Sequence, residues 1–167
     1  MNPIDLRKWA DENIALLKPP IANKLLFKGD SFFVMMVGGS SGNARTDFHV
    51  NATEELFYQL KGSLSLLLRE EGKVKEVRVG EGEMYLLRGG VPHSPRRPPH
   101  SLGLVVERTR TEEMPPDQLL WFCSDCDCLI HSATLFCTDI ETQLTSLLLQ
   151  YSSSQELRTC KKCGKIN

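Results

Sequence analysis

The sequence predicts a mainly β protein, built as a barrel or a sandwich, with one helix before the sheets and one after them. Between Lys24 and about Glu107 the chain consists of short runs rich in β-branched, aromatic and leucine side chains, divided by glycine-containing turns. Many short strands at even spacing are typical of a barrel or a sandwich. The predicted strands are 32–37, 56–60, 63–68, 74–79, 84–87 and 102–106.

A helical repeat occupies the start of the chain. Its apolar side chains recur every three or four residues, at Leu6, Trp9, Ala10, Ile14 and Leu17. Pro19 and Pro20 follow and cannot continue a helix, so we predict one amphipathic helix over residues 4–18. We divide the chain into an N-terminal segment that packs on a barrel, the barrel itself and a C-terminal segment, with the ranges 1–23, 24–114 and 115–167.

The C-terminal segment contains a second predicted helix. Thr138 and Glu141 have the spacing of a capping box, in which a hydroxyl and a carboxylate bind the first free backbone N–H groups of a helix. The helix that follows would have one apolar face, formed by Ile140, Leu144, Leu147, Leu148 and Tyr151. We expect this face to pack on the rest of the protein.

Four cysteines of the same segment form two CxxC pairs, Cys123 with Cys126 and Cys160 with Cys163. Tetrahedral four-thiolate sites are built from such pairs, because each short turn offers two thiolates to one ion. A site with four protein ligands has no position left for substrate, so we predict a structural metal, either Fe or Zn. Cys128 and Cys137 remain and are expected to be buried thiols, although the spacing of Cys126 and Cys128 leaves the register open.

Composition excludes several kinds of partner. The 20 Lys and Arg residues against 21 Asp and Glu give a net charge of −1, and therefore no basic surface for nucleic acid or an anionic membrane. We find no apolar run long enough to cross a membrane, and the first residues lack the pattern of a signal peptide. We expect a cytosolic protein that binds a small molecule, in a compartment that keeps its six cysteines reduced.

Candidate ligands for a catalytic metal fall within one stretch of the chain, at His49, Glu55 and His93. Two histidines and a carboxylate on separate strands can form the facial triad that holds non-haem Fe(II) and leaves coordination positions open. Taken alone, a histidine in such a region is more often a surface or core residue than a ligand. His100 and His131 fit no such pattern, and we expect a loop residue and a strand residue respectively.

The motifs around these residues resemble those of cupins. The stretch Gly82-x5-Arg88-x-Gly90-x2-His93-x3-Arg97 keeps the register of the second cupin motif, with Arg in place of the usual Pro at 88 and of the usual Asn at 97. Glu55-x6-Gly62 keeps the end of the first motif, although Asp47-x-His49 replaces its His-x-His. The resemblance implies a cupin barrel, which is a double-stranded β-helix of the jelly-roll type. Its register also selects Glu55 over Glu54, which points to the opposite face of the strand.

Several phrases narrow the resemblance within the cupins. They are Arg45-Thr-Asp-Phe-His49, Glu54-Glu-Leu-Phe-Tyr-Gln59, His93-Ser-Pro-x-Arg97 and Val106-Glu-Arg108. Together they resemble the 3-hydroxyanthranilate 3,4-dioxygenase family over about Leu6 to Gly164, in its single-domain bacterial and fungal type. The resemblance implies a homodimer that opens the ring of 3-hydroxyanthranilate with O2. The product would be 2-amino-3-carboxymuconate semialdehyde, the precursor of quinolinate and so of NAD.

The resemblance also assigns roles to individual residues. It implies that His49, Glu55 and His93 bind the catalytic Fe(II), with Glu55 also touching the substrate. It implies that Arg97 binds the substrate carboxylate, that Glu107 accepts protons from the amino and hydroxyl edge, and that Arg45 faces dioxygen. Asp47 would hold His49 or Arg45 in orientation.

Rival interpretations remain at this stage. Without the family, Arg45, Arg97 and Glu107 could be ordinary rim charges, and we expect Arg96 and Arg108 at the surface. A cupin of another activity, such as an isomerase or a dioxygenase for another chelating substrate, is one alternative function. A non-catalytic metal-binding or sugar-binding cupin is the other. The presence of both Arg97 and Glu107 favours the ring-opening reaction. Its substrate needs an arginine that binds a carboxylate and a base at the same cavity opening.

Overall fold

The computed structural model describes residues 2–17, 22–39 and 45–167. Helix α1 spans Leu6–Asn13 and continues into a 3-10 turn, Ile14–Leu16. It begins after Asp5, whose side chain accepts hydrogen bonds from two backbone N–H groups of the first turn at 3.0 Å. The predicted helix is therefore confirmed in position, although residue 18 and both following prolines lie outside the described residues.

The described strands alternate with short turns along the chain. They are β1 (Asn23–Lys28), β2 (Phe32–Gly38), β3 (Phe48–Val50), β4 (Glu55–Lys61), β5 (Leu64–Glu70), β6 (Lys73–Val79), β7 (Met84–Leu87), β8 (His93–Arg96), β9 (Leu102–Arg108), β10 (Asp117–Phe122) and β11 (Leu129–Leu135). They form two antiparallel sheets with the orders β1-β2-β9-β4-β7 and β11-β10-β3-β8-β5-β6. The expectation of a mainly β fold is confirmed, and each of the six predicted strands overlaps an observed one.

The core lies between the two sheets. Strand β5 shows why, since its leucines at every second position are buried and the intervening residues are less so. These leucines meet inward side chains of the facing sheet in one cluster, which comprises Phe33, Met35, Phe57, Leu64, Leu66, Leu68, Val79, Leu87 and Val105. The outer face of the five-stranded sheet is covered in part by α1, through Ala10 and Leu17 against Met36 and Leu102.

The C-terminal residues extend the six-stranded sheet and then cover it. Helix α2 spans Ile140–Ser153 and helix α3 spans Gln155–Arg158. The predicted apolar face of α2 packs on β10, where Leu119 and Trp121 join Leu144, Leu148 and Tyr151 in one cluster. The cap of α2 is Asp139 rather than Thr138, because the Thr142 backbone N–H and hydroxyl both donate to its carboxylate. The side chain of Glu141 lies outside the described residues.

Strand β10 hydrogen-bonds to β3 on one side and to β11 on the other, so the sheet continues past residue 114. The division of the chain into segments 1–23, 24–114 and 115–167 stays a prediction. In the described part of the chain, every helix is too short or too polar to cross a bilayer.

Candidate active site

A cavity of about 410 Å³ opens between the sheets at the end of the barrel that α2 covers. Its apolar wall includes Met35, Phe57 and Val105 from one sheet and Ile140 and Leu144 from α2. Its charged wall contains the six residues that we expected to bind the metal, the substrate or dioxygen or to accept protons. They are Arg45, His49, Glu55, His93, Arg97 and Glu107. A mostly apolar cavity of this size with a few convergent polar groups is typical of a small-molecule site.

The three predicted metal ligands meet in this cavity. His49 on β3 pairs with His93 on β8 across the sheet, and Glu55 enters from the first position of β4 in the facing sheet. One ligand atom from each lies within 4.8 Å of the others, and all three residues are buried. Glu54 is exposed, as the alternation of side chains along a strand requires.

Charge keeps the carboxylate of this group ionised. Burial alone would raise the pKa of Glu55, but the charge and hydrogen bond of His93 outweigh it, so the pKa is lowered. His93 Nε2 lies 3.0 Å from Glu55 Oε2, while its Nδ1 contacts the Val91 carbonyl at 3.0 Å. A buried carboxylate and two imidazoles, close together and facing a cavity, are a donor set that fits a divalent metal with open coordination positions.

A network of buried polar side chains surrounds these ligands, and sequence reasoning missed it. Asp117 accepts from both Nε and Nη2 of Arg110, and its Oδ2 lies 2.9 Å from His49 Nε2. Arg110 Nη2 also donates to Glu107 Oε2 at 2.6 Å. The amide of Asn51 lies between the two cavity glutamates, with Nδ2 3.1 Å from Glu55 and 3.4 Å from Glu107. No local pattern marks these residues. Arg110 and Asp117 are near Glu107 in the chain, but the contact of Asp117 with His49 and that of Asn51 with Glu107 join residues 68 and 56 positions apart.

Glu107 lies beside Glu55 in the sheet, since β9 and β4 pair at these two positions. Burial and the charge of Glu55 raise the pKa of Glu107, and the charge of Arg110 opposes this rise. A carboxylate with a raised pKa that faces a cavity is suited to accepting a proton there.

Arg97 is the group in the cavity that most clearly lacks a partner. Its Nη1 donates to Gln59 Oε1 at 2.7 Å, whereas Nε and Nη2 are buried without a hydrogen-bond partner among the described residues. Burial lowers the pKa of Arg97 to about 10, so the guanidinium is still charged at neutral pH. Two unsatisfied donors on one side of a planar cation match the two oxygens of a carboxylate.

Arg45 is held by the neighbouring Asp47. Its Nε and Nη2 donate to the two carboxylate oxygens at 2.9 and 2.5 Å, and Asp47 is almost fully buried. Burial would raise the pKa of Asp47, but the charge of Arg45 outweighs it and lowers the pKa.

Arg108 is exposed as expected, but Arg96 is half-buried and lines the cavity. The expectation of a surface position was therefore wrong for Arg96, because β8 ends at the cavity mouth.

The four predicted cysteines form a second cluster, far along the chain from the cavity residues. The Sγ atoms of Cys123 and Cys163 are 3.5 Å apart, those of Cys126 and Cys160 are 3.6 Å apart, and all four lie within 4.8 Å of one another. Cys128 stands outside this group. The two remaining thiols, at positions 128 and 137, are half-buried, so the expectation of full burial was wrong for both.

Two of the clustered thiols are favoured as thiolates. Although burial opposes it, backbone N–H donors at 125 and 126 lower the pKa of Cys123 to about 6. Backbone N–H donors at 162 and 163 likewise lower the pKa of Cys160. Each CxxC turn thus favours one thiolate in the metal-free protein, at Cys123 and at Cys160.

The two other histidines lie where the sequence predicted. His100 is an exposed turn residue, with a φ of 64°. His131 belongs to β11 and stacks beside Trp121 and Tyr151.

Comparison with known proteins adds to this geometry. The sequence profile of the family described as 3-hydroxyanthranilic acid dioxygenase matches residues 1–152. A 3-hydroxyanthranilate 3,4-dioxygenase of Neurospora crassa is 43% identical over 165 residues, covering 99% of this chain and 89% of the relative. One of Bacillus thuringiensis is 41% identical over 167 residues, covering 99% and 92%.

Among solved structures, protein TT1209 of Thermus thermophilus has a TM-score of 0.50 and 23% identity, covering 64% of this chain and 95% of that one. This likeness concerns the fold alone. The expected cupin barrel with helices at both ends is confirmed.

Proposed function

The chain belongs to the 3-hydroxyanthranilic acid dioxygenase family, and we propose that His49, Glu55 and His93 hold the Fe(II) ion with which it works. It is a dioxygenase that opens the ring of 3-hydroxyanthranilate with O2. The product, 2-amino-3-carboxymuconate semialdehyde, leads to quinolinate and NAD. The single observation that carries the site assignment is the buried triad in the same cavity as an arginine with two unpartnered donors.

The triad would supply two imidazoles and one carboxylate to the iron. The contacts of His49 with Asp117 and of His93 with Val91 orient the two rings. When bound, Fe(II) supplies open coordination positions for the substrate and the redox chemistry that activates dioxygen. Every other step depends on side chains of the chain itself.

Arg97 binds the substrate carboxylate. Its Nε and Nη2 form a planar fork, and both atoms are buried, so a bidentate pair formed there is shielded from water. The carboxylate fixes the aromatic ring relative to the triad, which lies in the same cavity. Fixing the ring converts the encounter of substrate and oxidant into a reaction between positioned groups.

Glu107 accepts a proton from the hydroxyl or amino group of the ring. It lines the cavity, and Arg110 and Asn51 both contact its Oε2, which holds the carboxylate in place. Its raised pKa makes it a better base than an ordinary glutamate at neutral pH. Glu55, directly beside it in the sheet, is the other carboxylate within reach of the substrate.

Arg45 stabilises the negative charge that develops on dioxygen during the reaction. Asp47 fixes its guanidinium through two hydrogen bonds, so its charge is already oriented when the reaction begins. A positive charge that is already positioned lowers the barrier more than a mobile one, because no reorganisation is needed during the reaction.

The test of this assignment is an aerobic ring-opening assay with metal analysis. Purified protein, loaded with Fe(II), is mixed with 3-hydroxyanthranilate in air, and the semialdehyde is followed by absorbance. We expect product with the iron-loaded protein and none after removal of the iron by a chelator. Activity restored equally well by a redox-inert ion would contradict iron as the cofactor. Binding of 3-hydroxyanthranilate without turnover would favour a non-catalytic cupin.

The four-cysteine cluster would hold a second, structural metal. All four protein ligands converge, so the ion would have no position for substrate. We propose Zn or Fe for this site, and elemental analysis of the purified protein decides between them. Its thiols require a reducing compartment, which supports a cytosolic location.

We also propose that the chain forms a homodimer. The outer face of the five-stranded sheet carries exposed apolar side chains at Phe32, Met84 and Leu86. An isologous contact would cover this face in both copies at once. Light scattering of the purified protein, compared with a Leu86→Lys variant, tests the proposal. A wild type that is monomeric at micromolar concentration would contradict it.

A further inference from the structure

Gln59 is a fully buried side chain on the inward face of β4, at the second inward position after Glu55. Its Oε1 accepts from Arg97 Nη1 at 2.7 Å, and its Nε2 donates to the backbone carbonyl of Lys61 at 2.7 Å. The side chain therefore joins the cavity arginine to the backbone of the strand that carries a metal ligand.

The orientation of this amide follows from its neighbours. The Lys61 carbonyl can only accept a hydrogen bond and the Arg97 guanidinium can only donate, so the NH2 group must face Lys61 and the oxygen must face Arg97. The β4 and β9 register shifts between Gln59 and Lys61. This irregularity in the pairing lies at the backbone carbonyl of Lys61, which accepts the hydrogen bond from the Gln59 amide.

Gly103 leaves the space in which this contact forms. It pairs with Gln59 across the sheet, and a Cβ added there would lie 2.6 Å from Arg97 Nη1 and 2.9 Å from Gln59 Oε1. Any larger residue at 103 would displace the guanidinium from the amide. The glycine is thus required by a close approach of two side chains.

The partner of Arg97 differs in charge from the partners of two other arginines near the triad, Arg45 and Arg110. Arg45 is paired with Asp47, and Arg110 with Asp117 and Glu107, so carboxylates of the protein already balance both charges. Arg97 is held by a neutral amide, and it makes no ion pair within the ranges that the structure describes. Its positive charge is not offset by an ion pair there, and its Nε and Nη2 are buried without a partner among the described residues.

We propose that Gln59 is a positioning residue that makes the site specific for aromatic acids, because it orients Arg97 without neutralising its charge. The inference rests on the proposed function, in which Arg97 binds the substrate carboxylate. A carboxylate at position 59 would form an ion pair with Arg97 and compete with that of the substrate. An apolar side chain there would leave the guanidinium unheld and its Nη1 without a partner.

The experiment compares Gln59→Glu, Gln59→Met and Arg97→Lys with the wild type, on 3-hydroxyanthranilate and on 2-aminophenol, which lacks the carboxylate. Gln118→Glu on the exposed face of β10 is the matched control for an added charge. The readouts are kcat and KM, and the dissociation constant of 3-hydroxyanthranilate measured by calorimetry without oxygen. Melting curves and iron content identify variants with a damaged barrel.

We expect Gln59→Glu to raise both the KM and the dissociation constant for 3-hydroxyanthranilate by at least about tenfold, since the added carboxylate would form an ion pair with Arg97 at Nη1 and offset the charge that binds the substrate. Gln59→Met should also lose affinity for 3-hydroxyanthranilate. For 2-aminophenol, both variants should have the kcat and KM of the wild type within about twofold, because that ligand has no carboxylate to bind Arg97. Gln118→Glu should match the wild type on both substrates.

Three contrary outcomes have different meanings. If Arg97→Lys weakens binding of 3-hydroxyanthranilate and both Gln59 variants leave it unchanged, the role of Gln59 is overturned while that of Arg97 stands. If both Gln59 variants lose activity equally on the two substrates, Gln59 is a structural residue and the inference is wrong. If Arg97→Lys itself leaves carboxylate binding intact, the assignment of Arg97 in the proposed function fails first.

Discussion

Asp117 and His49 are 68 positions apart in the chain, yet Asp117 Oδ2 lies 2.9 Å from His49 Nε2. The antiparallel pairing of β10 with β3 brings them together, and Arg110 holds the carboxylate from the other side. A carboxylate at one ring nitrogen fixes the tautomer and orientation of an imidazole, so that the other nitrogen presents its lone pair. If His49 binds the iron as proposed, we expect Asp117 to affect how tightly it does so.

Asp117→Asn should weaken the binding of iron about 10- to 100-fold, because the amide keeps the shape but not the charge of the residue that orients His49. The affinity is measured by competition with a chelator of known strength. Asp30→Asn, at an exposed turn, is the control and should bind iron as the wild type does. An unchanged iron affinity in Asp117→Asn would show that the contact with His49 has no influence on the metal.

His49→Ala and His93→Ala should each lose the catalytic iron and the ring-opening activity. Each removes one of three ligands, and the apolar core between the sheets remains, so circular dichroism should still show a folded barrel. Glu54→Ala is the matched control, since its exposed side chain points away from the cavity. One equivalent of iron with near-normal turnover in either histidine variant would rule out the triad.

Cys160→Ser should release the metal of the four-cysteine cluster and lower the melting temperature, because that ion joins two turns that are distant in sequence. The catalytic iron and part of the activity should survive. Cys128→Ser, outside the cluster, should keep both metals. Loss of both metals from a Cys160→Ser protein that is still folded would mean that the two sites are not independent.

Arg97→Lys should reduce turnover of 3-hydroxyanthranilate by at least about a hundredfold, because a point charge cannot replace the planar fork that orients the ring. On 2-aminophenol, a poor substrate for the wild type, the variant should lose little further activity. Arg108→Lys, at an exposed position, is the matched control. An equal loss of activity on both substrates would mean that Arg97 acts on the metal, on oxygen or on the fold.

The sequence was most informative where local pattern decides structure. Strands such as β5 and β9 could be predicted because their apolar residues form uninterrupted or alternating runs. Glu55 could be preferred to Glu54 because its spacing to Gly62 keeps the cupin register, and a strand sends the neighbouring side chain to the opposite face. The two CxxC pairs needed only the spacing of a tight turn.

Features that depend on pairing between distant strands could not be predicted. Strands β3 and β8 are only three and four residues long, and β8 contains a proline, so neither produces a periodic signal. Arg110 is buried where it contacts both Asp117 and Glu107, and the Asn51 amide donates to Glu55 and Glu107, so the burial of these residues depends on partners from several strands. The position of Arg96 at the cavity depended on where β8 ends, which is the least predictable property of a strand.

Helix α2 contributes Ile140 and Leu144 to the wall of the cavity, and only then does the chain reach Cys160 and Cys163. During synthesis, the strands up to β9 leave the ribosome with all three triad residues before this wall exists. The nascent barrel would thus have its metal ligands in a cleft still open to water. The cavity acquires the wall formed by α2 only after every described strand has been made, so the order of residues along the chain places the enclosure of the reactive centre after the synthesis of the barrel.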